Sequence, residues 1–575
     1  MNQEISFSIV GSGGDGAVAA GDIVANACAG AGLHVIKTEA YGPQIRGGES
    51  SCTVRVSTKP IFAQAGAVDA LVVFSWSDFA RFASEITPAA NAIVLYEADD
   101  APPENAAGAL FPVAFSKLAS KSKNILALGI LTPLLGLPVD GVRAAIRKRF
   151  AKKDEAVINA NLAAFDQGVA IRVGDSSRSA ALGMTPGPAH LLMSGNEAAA
   201  VGAIHAGCKF FAGYPITPSS EVLHFLGEWL PKIGGTTLQT EDELAAIGAV
   251  VGASFAGAKS MTATSGPGLS LMSEMLGLSS IAEVPSVIFN VQRGGPSTGI
   301  PTKSEQSDLM HAVYGSHGDT PRVVLGCCDV EDAFHTTVDA FNISEEFQVP
   351  VIVLSDQLIA QRRETIEAAA LVHDVVERRL GSANSEGEYR RYADTPDGVS
   401  PMSIPGIANA MYQTNGLEHD ETGRPSSMFV VHEKMNAKRY RKLEAIAKKY
   451  PLYRTFGSAK PDLGILCWGS AAGPVREAID LLNVGDLMVG AFVPRMLSPL
   501  PATALQSFID SCDRLLVIEL SYSAQFHQLL RSQVDLPRGK TTVFARSGGK
   551  SLSVSEVVGA VRQLLGACAL EEVLA

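Results

Sequence analysis

Four loops of unusual composition lie between Gly213 and Asp308. They read Gly213-Tyr-Pro-Ile-Thr-Pro-Ser-Ser220, Gln239-Thr-Glu-Asp-Glu243, Thr264-Ser-Gly-Pro-Gly268 and Gln292-Arg-Gly-Gly-Pro-Ser-Thr-Gly-Ile-Pro-Thr302. Three of them follow short, mostly apolar runs at 210–212, 260–263 and 286–291 that are typical of buried strands. In an open parallel sheet, the loops that leave the carboxyl ends of the strands gather at one edge, where ligands bind. The stretch therefore predicts an α/β sheet with a ligand site at that edge.

The composition indicates a large protein with several cores and no nucleic-acid partner. The chain has 575 residues, of which 46% are hydrophobic and 18% charged, and its net charge is −12. At roughly 150 residues per domain, this length predicts three or four domains. Phosphate binding needs clustered Lys and Arg, and the sequence has no long basic run.

The sequence also lacks the usual signals for export, membrane insertion and metal binding. The N-terminus has no basic segment, and no apolar stretch approaches the roughly 18 residues of a membrane span. The eight cysteines are scattered and form no C-x-x-C motif, which argues against an iron–sulfur cluster or a zinc site held by this chain alone. We therefore expect a soluble, cytoplasmic protein with reduced thiols, no membrane partner and no metal ligands of its own.

Alternating strand and helix patterns predict several doubly wound α/β domains. The first is expected at residues 1–175, where the run 5–10 is predicted as a strand, 17–31 as a helix and 34–38 as a second strand. A linker is predicted at 176–195 and a second α/β domain, which carries the four loops, at 196–375. Residues 376–458 are predicted as an irregular connecting segment on the surface, ending in a basic helix near 436–449, and 459–575 as a last α/β domain.

The turn Gly11-x-Gly13-x-x-Gly16 is open to three interpretations. It fits a dinucleotide fingerprint with Glu39 on the ribose, although Glu39 lies 28 residues past Gly11 and an unusual loop, 41–49, follows at once. It also fits a purely structural tight turn, or a site facing a phosphate or a partner. Gly14-Asp15-Gly16 resembles the start of a thiamine metal-diphosphate motif, but no Asn follows at the required distance. The diphosphate half of a thiamine site is therefore not visible in this chain.

Glu243 is the strongest candidate for an acid–base residue. Both Glu241 and Glu243 precede a predicted helix at 244–256, where carboxylates are favoured by the helix dipole. That structural explanation suffices for Glu241. Glu243 directly enters a run of apolar and small residues, so we expect it to be desolvated, with a raised pKa suited to proton exchange with a heterocyclic nitrogen.

Three further polar residues each have a functional and a structural interpretation. Arg293 follows an apolar run and enters a Gly-Gly-Pro turn rich in hydroxyls, which suits it as a clamp for a carboxylate, although a lone Arg is more often a surface or ion-pair residue. His317 is either at the same edge or an ordinary loop histidine. His419 lies in Glu-His-Asp-Glu, where adjacent residues cannot all face one metal ion, so a solvated loop is expected.

These loops resemble those of the 2-oxoacid:ferredoxin (acceptor) oxidoreductases, specifically an α chain with a γ domain fused at its N-terminus. The motifs that carry the resemblance are Tyr214-Pro-Ile-Thr-Pro-Ser-Ser220, Thr264-Ser-Gly-Pro-Gly268 and Arg293-Gly-Gly-Pro-Ser-Thr298 for a pyrimidine-binding domain. The segments 11–16 and 41–49 resemble the γ domain. Trp468-Gly-Ser470, Pro499-Leu-Pro501 and Glu519 resemble a transketolase C-terminal-type domain. The form resembled most is the two-chain type that acts on 2-oxoglutarate.

The resemblance implies a thiamine diphosphate mechanism in which Glu243 hydrogen-bonds the aminopyrimidine ring and promotes the tautomer that removes the C2 proton. The resulting ylid would attack the 2-oxoacid, carbon dioxide would leave, two electrons would pass singly to an iron–sulfur cluster, and coenzyme A would take the acyl group. The cofactor-binding residues implied are Tyr214, Pro215, Ile216 and Glu243. The substrate-binding residues implied are Thr217, Arg293, Thr298 and Thr302, the last toward the distal end of the substrate. The residues implied to contact coenzyme A or a partner chain are Gly13, Gly14, Arg46 and Gly47.

The same resemblance implies a separate β subunit, because this chain shows neither the diphosphate motif nor cluster cysteines. That subunit would carry Mg²⁺ and a 4Fe–4S cluster, form an α2β2 complex and exchange electrons with ferredoxin. One departure is Glu519-Leu-Ser521, where relatives often have Glu-x-Asn, so no contact with coenzyme A or a partner chain is assigned to that loop. The alternatives are the same chemistry on pyruvate or a branched 2-oxoacid, a non-oxidative thiamine enzyme such as a decarboxylase or transketolase-like protein, and a non-catalytic scaffold subunit.

Overall fold

The computed structural model describes residues 3–42, 48–119, 121–173, 182, 187–381, 389–483 and 487–566. The strands are β1 (Glu4–Ser12), β2 (His34–Tyr41), β3 (Glu49–Ser57), β4 (Val68–Val73), β5 (Pro88–Glu97), β6 (Ala109–Val113), β7 (Leu191–Ser194), β8 (Phe210–Gly213), β9 (Thr236–Gln239), β10 (Ser260–Thr264), β11 (Ser286–Gln292), β12 (Val323–Gly326), β13 (Pro350–Asp356), β14 (Arg363–Ile366), β15 (Tyr453–Gly457), β16 (Leu463–Leu466), β17 (Val489–Pro494), β18 (Met496–Ser498), β19 (Arg514–Glu519) and β20 (Thr541–Ala545).

The α-helices are α1 (Ala17–Gly30), α2 (Trp76–Phe82), α3 (Phe115–Ala119), α4 (Lys123–Leu134), α5 (Val139–Arg149), α6 (Glu155–Ala170), α7 (Gly195–His205), α8 (Ser220–Trp229), α9 (Glu243–Phe255), α10 (Gly266–Ile281), α11 (Leu309–Tyr314), α12 (Val330–Phe347), α13 (Gln357–Gln361), α14 (Phe429–Lys449), α15 (Ala472–Leu482), α16 (Ala502–Ser511), α17 (Gln525–Gln533) and α18 (Val554–Leu565). Short 3₁₀ turns occur at Leu230–Ile233, Ala368–Ala370, Gly469–Ala471 and Arg538–Lys540. This alternation confirms the predicted α/β class. None of the described helices is long and apolar enough to cross a membrane.

The chain divides into two compact units. The first comprises Met1–Ser194, Gln361–Ala370 and Ser553–Ser555, and the second comprises Gly195–Ala360, Leu371–Leu552 and Glu556–Ala575. The first unit is built on a mixed eight-stranded sheet of order β6-β5-β4-β1-β3-β2-β14-β7. In it, β1 pairs in parallel with β4 and antiparallel with β3, so β3 separates β1 from β2. Helices α4 and α6 meet closely at Gly129 and Gly168, where an added Cβ would collide with the facing backbone.

The second unit holds two sheets, and the larger one positions the candidate site. Its order is β18-β12-β13-β11-β10-β8-β9, with β8 to β13 parallel and β18 antiparallel at the edge. The predicted strands at 210–212, 260–263 and 286–291 are confirmed as β8, β10 and β11. Every residue of β10 and β11 is buried, as expected for strands covered on both faces. The smaller sheet has the order β15-β17-β16-β19-β20.

The prediction that residues 376–458 lie on the surface is wrong for several of their charged side chains. Helix α14 begins at Phe429, and its Lys438 and Lys442 are buried and pair with the buried carboxylate of Glu283, at 2.7 Å for Lys438. Arg391 is also fully buried, and it donates a hydrogen bond of 2.7 Å to the backbone oxygen of Glu283. Burial lowers the pKa of Lys442 to about 7. Burial alone would raise the pKa of Glu283, but the two ammonium groups outweigh it and lower that pKa.

Candidate functional site

The site lies at the carboxyl edge of the seven-stranded sheet. Strands β8, β10 and β11 are parallel and end at Gly213, Thr264 and Gln292, so the loops that follow them leave on the same side. The loop that follows β9 leads directly into α9, whose first residue is Glu243. All four loops that stand out in the sequence therefore meet at one edge.

Glu243 is held at the start of α9 by its neighbour and by a glycine. Asp242 caps the helix, and its Oδ1 accepts a hydrogen bond of 2.7 Å from the amide of Ala245. Glu243 itself is only 5% exposed. A Cβ added at Gly268, on α10, would lie 2.6 Å from Oε1 of Glu243 and would overlap the hydroxyl of Thr264. The Gly-Pro-Gly turn thus makes room for the carboxylate of Glu243.

The electrostatic surroundings of Glu243 match the sequence-based expectation. Burial raises its pKa, a hydrogen bond from its own backbone amide acts in the opposite direction, and the charge of Asp242 adds to the increase. A carboxyl group whose pKa is raised in this way holds a proton at a higher pH than an exposed glutamate does. The arrangement is suited to exchanging a proton with a bound base.

Arg293 connects the first and fourth loops. Its Nη1 donates a hydrogen bond to the backbone oxygen of Thr217 at 2.5 Å. Arg293 is only 6% exposed, and its Nε is buried without a hydrogen-bond partner among the described residues. Burial lowers the pKa of Arg293, while the charge of Asp308 opposes that shift; the guanidinium remains a cation at neutral pH. A buried cation with an unsatisfied donor is well suited to binding an anionic ligand.

An open cavity of about 580 Å³ lies beside Arg293. Its walls include Gly266 and Pro267 of α10, Asp308, His311 of α11 and the exposed side chain of Tyr522. The cavity is large enough for a small dicarboxylic acid. The guanidinium of Arg293 gives it a positive group, and Asp308 and Glu305 give it carboxyl groups.

The remaining residues implied by the resemblance lie on the same loops at differing depths. Tyr214 and Thr217 are exposed, and Pro215 and Ile216 are half-buried; Asn196 supports this loop by donating a hydrogen bond of 2.8 Å to the oxygen of Pro218. The Arg293 loop folds back through a bridge between Gly294 and Ile300, which leaves Thr298 exposed and Thr302 half-buried. Thr217, Thr298 and Thr302 are not among the residues that line the cavity.

Two residues that sequence reasoning missed organise the same loop. Asp308 lines the cavity, and Gln306 is fully buried. The side chain of Gln306 donates to the oxygen of Trp468 at 2.8 Å and accepts from the amide of Leu520 at 2.9 Å, which ties the loop to two strand ends of the smaller sheet. The signal available in the sequence was the run of six polar residues at 303–308 directly before a helix.

The Glu519 loop forms an internal helix cap. Glu519 is fully buried and accepts hydrogen bonds from Ser521 Oγ at 2.6 Å and from the amides of Phe526 and His527 at 2.8 and 2.9 Å. Burial raises the pKa of Glu519, and these hydrogen bonds counteract the increase. The carboxylate is thus engaged at the start of α17, while Tyr522 points outward at 88% exposure.

In the first unit, the glycine-rich turn at 11–16 forms hydrogen bonds with residues that lie next to it. Gly13 donates its amide to Gly48 at 2.8 Å, and the carboxylate of Asp15 accepts from the amide of Ser12 at 2.9 Å. Gly14 is open, with no heavy atom within 4 Å of an added Cβ. The predicted contacts Arg46 and Gly47 lie outside the described residues.

Glu39 is not placed as a dinucleotide site requires. Its carboxylate accepts hydrogen bonds from Lys37 and from the hydroxyl of Tyr41. Strand β3 separates β2, which carries Glu39, from β1, which leads into the turn. The fingerprint places the acidic residue on a strand next to the one that enters the turn, so this arrangement argues against NAD binding.

The other candidate histidines lie elsewhere. His317 is exposed and lines a separate cavity of about 280 Å³ with Glu418 and His432. The expectation of a solvated loop for His419 is wrong: its ring is 1% exposed and lies 4.0 Å from the ring of Tyr392, because a turn linking Glu418 to Ser426 folds it inward. Among the described residues, no three His, Cys, Asp or Glu side chains are placed to hold a metal ion.

Three family models match separate segments of the chain. Residues 201–438 match "pyruvate flavodoxin/ferredoxin oxidoreductase, thiamine diP-bdg". Residues 6–171 match "pyruvate ferredoxin/flavodoxin oxidoreductase". Residues 461–557 match "pyruvate:ferredoxin oxidoreductase core domain II". The four loops at the sheet edge all fall within the first match.

Similar proteins are known from both sequence and structure. The chain is 34% identical over 474 residues to 2-oxoacid:ferredoxin oxidoreductase 2, subunit alpha, of Aeropyrum pernix, covering 78% of this chain and 72% of that protein. It is 41% identical over 332 residues to 2-oxoglutarate synthase subunit KorA of Archaeoglobus fulgidus, covering 57% and 88%. A solved structure of 2-oxoglutarate:ferredoxin oxidoreductase from Magnetococcus marinus, with 2-oxoglutarate, coenzyme A and succinyl-CoA bound, superposes with a TM-score of 0.90 at 36% identity. That match covers 98% of this chain and 100% of the other.

Proposed function

The chain belongs to the 2-oxoacid:ferredoxin oxidoreductases as an alpha subunit, and we propose that it takes part in the coenzyme A-dependent oxidative decarboxylation of 2-oxoglutarate to succinyl-CoA, or in the reverse reaction. The observation that carries the proposal is the pairing of two groups at one sheet edge: the desolvated carboxyl of Glu243 and the unsatisfied guanidinium of Arg293. The choice of 2-oxoglutarate rests on the similarity to the Magnetococcus marinus structure and to the 2-oxoglutarate synthase subunits.

The residues at this edge fit the pyrimidine half of thiamine diphosphate. The carboxyl of Glu243 is buried, has a raised pKa and occupies a space kept free by Gly268, as a partner for a ring nitrogen requires. When bound, thiamine diphosphate supplies the carbon nucleophile and the electron sink for decarboxylation. Glu243 would hold a proton at the ring nitrogen. The loop residues proposed to enclose the ring are Tyr214, Pro215 and Ile216.

Arg293 would bind a carboxylate of the 2-oxoacid. Its planar fork can donate two parallel hydrogen bonds, and it lines the cavity in which the acid would lie. Its bond to the backbone oxygen of Thr217 supports this role, because it fixes the guanidinium beside the Thr217 loop. Thr217, Thr298 and Thr302 are proposed as further substrate contacts, with Thr302 toward the distal carboxylate.

The metal ion and the iron–sulfur cluster that the reaction needs are proposed to lie on a partner chain. Relatives are named as subunits, which indicates a complex with other chains. We expect a β subunit that holds Mg²⁺ at the diphosphate and a 4Fe–4S cluster, an α2β2 assembly, and ferredoxin as the electron carrier. Gly13, Gly14, Arg46 and Gly47 are proposed to contact coenzyme A or that subunit.

The proposed domain organisation is the one expected from the sequence. We assign 1–175 to a γ-type domain, 176–195 to a linker, 196–375 to the pyrimidine-binding domain, 376–458 to the connecting segment and 459–575 to a transketolase C-terminal-like domain. The separate matches at 6–171 and 461–557 support the first and last of these domains, and the match at 201–438 covers the pyrimidine-binding domain and continues into the connecting segment.

A second substrate class has a specific observation in its favour. The family descriptions name pyruvate, and the Aeropyrum pernix relative is named for 2-oxoacids in general. Pyruvate or a branched 2-oxoacid would use the same Arg293 contact and differ only at the distal end. The chemistry would be unchanged.

The test is coenzyme A-dependent reduction of a viologen dye by this chain co-expressed with its β subunit, with 2-oxoglutarate and pyruvate compared. Activity with 2-oxoglutarate alone supports the proposal. Activity with pyruvate alone would keep the mechanism and overturn the substrate assignment. Formation of an aldehyde without dye reduction would instead indicate a non-oxidative enzyme.

A further inference from the structure

Asp308 is a carboxyl group in the wall of the cavity that Arg293 also lines. It caps no amide with its side chain; instead, its Oδ2 accepts a hydrogen bond of 2.9 Å from Asn290 Nδ2 on β11. Its backbone amide donates to Gln292 Oε1 at 3.1 Å. An added Cβ at Gly266 would lie 2.8 and 2.9 Å from its two carboxyl oxygens. Strand β11 and the start of α10 therefore fix this carboxyl in place.

The carboxyl group of Asp308 lies where the carboxylate of an anionic substrate would bind. Arg293 and Asp308 line the same cavity without forming a direct ion pair, so a carboxylate that approaches the guanidinium also approaches Asp308. Two ionised carboxylates at such a site repel each other, and the repulsion is relieved when one of them takes up a proton. The hydrogen bond from Asn290 engages Oδ2, which leaves Oδ1 as the oxygen that can carry that proton.

We propose that Asp308 is a substrate-binding residue that takes up a proton from water as the 2-oxoacid binds and donates a hydrogen bond to the substrate carboxylate. This inference rests on the proposed function, because it assigns the 2-oxoacid to this cavity. With Asp308 protonated, the cavity has two hydrogen-bond donors for the substrate, the charged guanidinium of Arg293 and the neutral carboxylic acid of Asp308. The proposed role of Glu243 toward the cofactor is unchanged by this inference.

Burial and the charged groups around Asp308 together favour the uptake of a proton by its carboxylate. Burial raises the pKa of Asp308, and the carboxylate of Glu305 on the same loop adds to the increase. The hydrogen bond from Asn290, His311 on α11 and the guanidinium of Arg293 oppose it, and the net shift is upward. An arriving substrate carboxylate offsets the effect of Arg293 and raises the pKa of Asp308 further.

The experiment measures KM for 2-oxoglutarate against pH in the complex with the β subunit, for the wild type and for Asp308→Asn. The Asn side chain keeps the volume and an acceptor for Asn290, and it donates without taking up a proton. For the wild type, we expect KM to rise by about tenfold per pH unit above the pKa of free Asp308, because binding takes up one proton. For Asp308→Asn, we expect a KM that is independent of pH and lower than the wild-type value at the alkaline end.

The control is Asp319→Asn, which removes an exposed carboxylate outside the cavity and should keep the wild-type dependence. A wild-type KM that does not change with pH would overturn the proposal, even if Asp308→Asn cannot be produced in folded form. The same slope in Asp308→Asn as in the wild type would overturn it too, as would a KM in that variant raised at every pH. Turnover of 2-oxoglutarate by the wild type tests the proposed function separately, so the two can fail independently.

Discussion

Replacing Gly268 by alanine tests whether the carboxylate of Glu243 needs the space that the glycine leaves. The new Cβ would lie 2.6 Å from Oε1 and 2.8 Å from Cγ of Glu243, and closer still to the hydroxyl of Thr264. Ordinary van der Waals contact begins near 3.4 Å, so the carboxylate must retreat by about 0.8 Å. A displacement of about 1 Å at a catalytic group lowers the rate by about 100-fold.

The stability of the Gly268→Ala variant should change much less than its activity. Overpacking costs about 1–3 kcal/mol, while alanine in a helix is favoured over glycine by about 1 kcal/mol. These effects partly cancel, so we expect net destabilisation of about 0–2 kcal/mol and a folded complex. The assay is kcat for coenzyme A-dependent viologen reduction, measured beside the thermal unfolding midpoint.

Gly277→Ala is the matched control, because it lies on the same helix and its Cβ would meet only Ser316 Oγ at 3.9 Å. We expect Gly277→Ala to keep the wild-type kcat. If Gly268→Ala also keeps the wild-type kcat, the position of Glu243 against Gly268 does not matter for the reaction, and the account of the site is refuted.

Three further outcomes follow from the same contacts. The raised pKa of Glu243 predicts an ionisation in the pH profile of kcat above the value near 4.3 of an ordinary glutamate, and a profile without it would contradict the assignment. Arg293→Lys replaces a fork by a single ammonium, so KM for 2-oxoglutarate should rise by about 10–100-fold, and an unchanged KM would remove Arg293 from the substrate site. Because burial lowers the pKa of Lys442 to about 7, the folded state holds fewer protons than the unfolded chain at alkaline pH, and stability should rise with pH above 7. Differential scanning calorimetry should show that rise in the wild type and not in Lys442→Met; the same rise in both would show that another group causes it.

Local patterns predicted the sheet edge well. Buried parallel strands leave continuous apolar runs in the sequence, and β10 and β11 appear where those runs lie. The apolar sequence of α9 likewise indicated the desolvation of Glu243 at its start. Both signals are short in range, because neighbours in sequence determine them.

The misjudged residues depend on partners that are far away in sequence. Lys438 pairs with a carboxylate 155 residues earlier, and Gln306 bonds to Trp468 at a separation of 162 residues. A basic helix paired with a distant buried acid has the same composition as a solvated one. Similarly, the insertion of β3 between β1 and β2 is set by strand pairing, which the spacing of Gly11 and Glu39 does not reveal.

The most direct test of the central claim is the effect of Glu243→Gln on coenzyme A-dependent viologen reduction with 2-oxoglutarate by the complex with the β subunit. Glu241→Gln, two residues away and exposed, is the control. Removing the carboxyl that exchanges a proton should lower kcat by about 10²–10⁴-fold, while Glu241→Gln stays at the wild-type rate. Full activity of Glu243→Gln in a folded complex would contradict a catalytic role for this chain and would indicate a scaffold subunit.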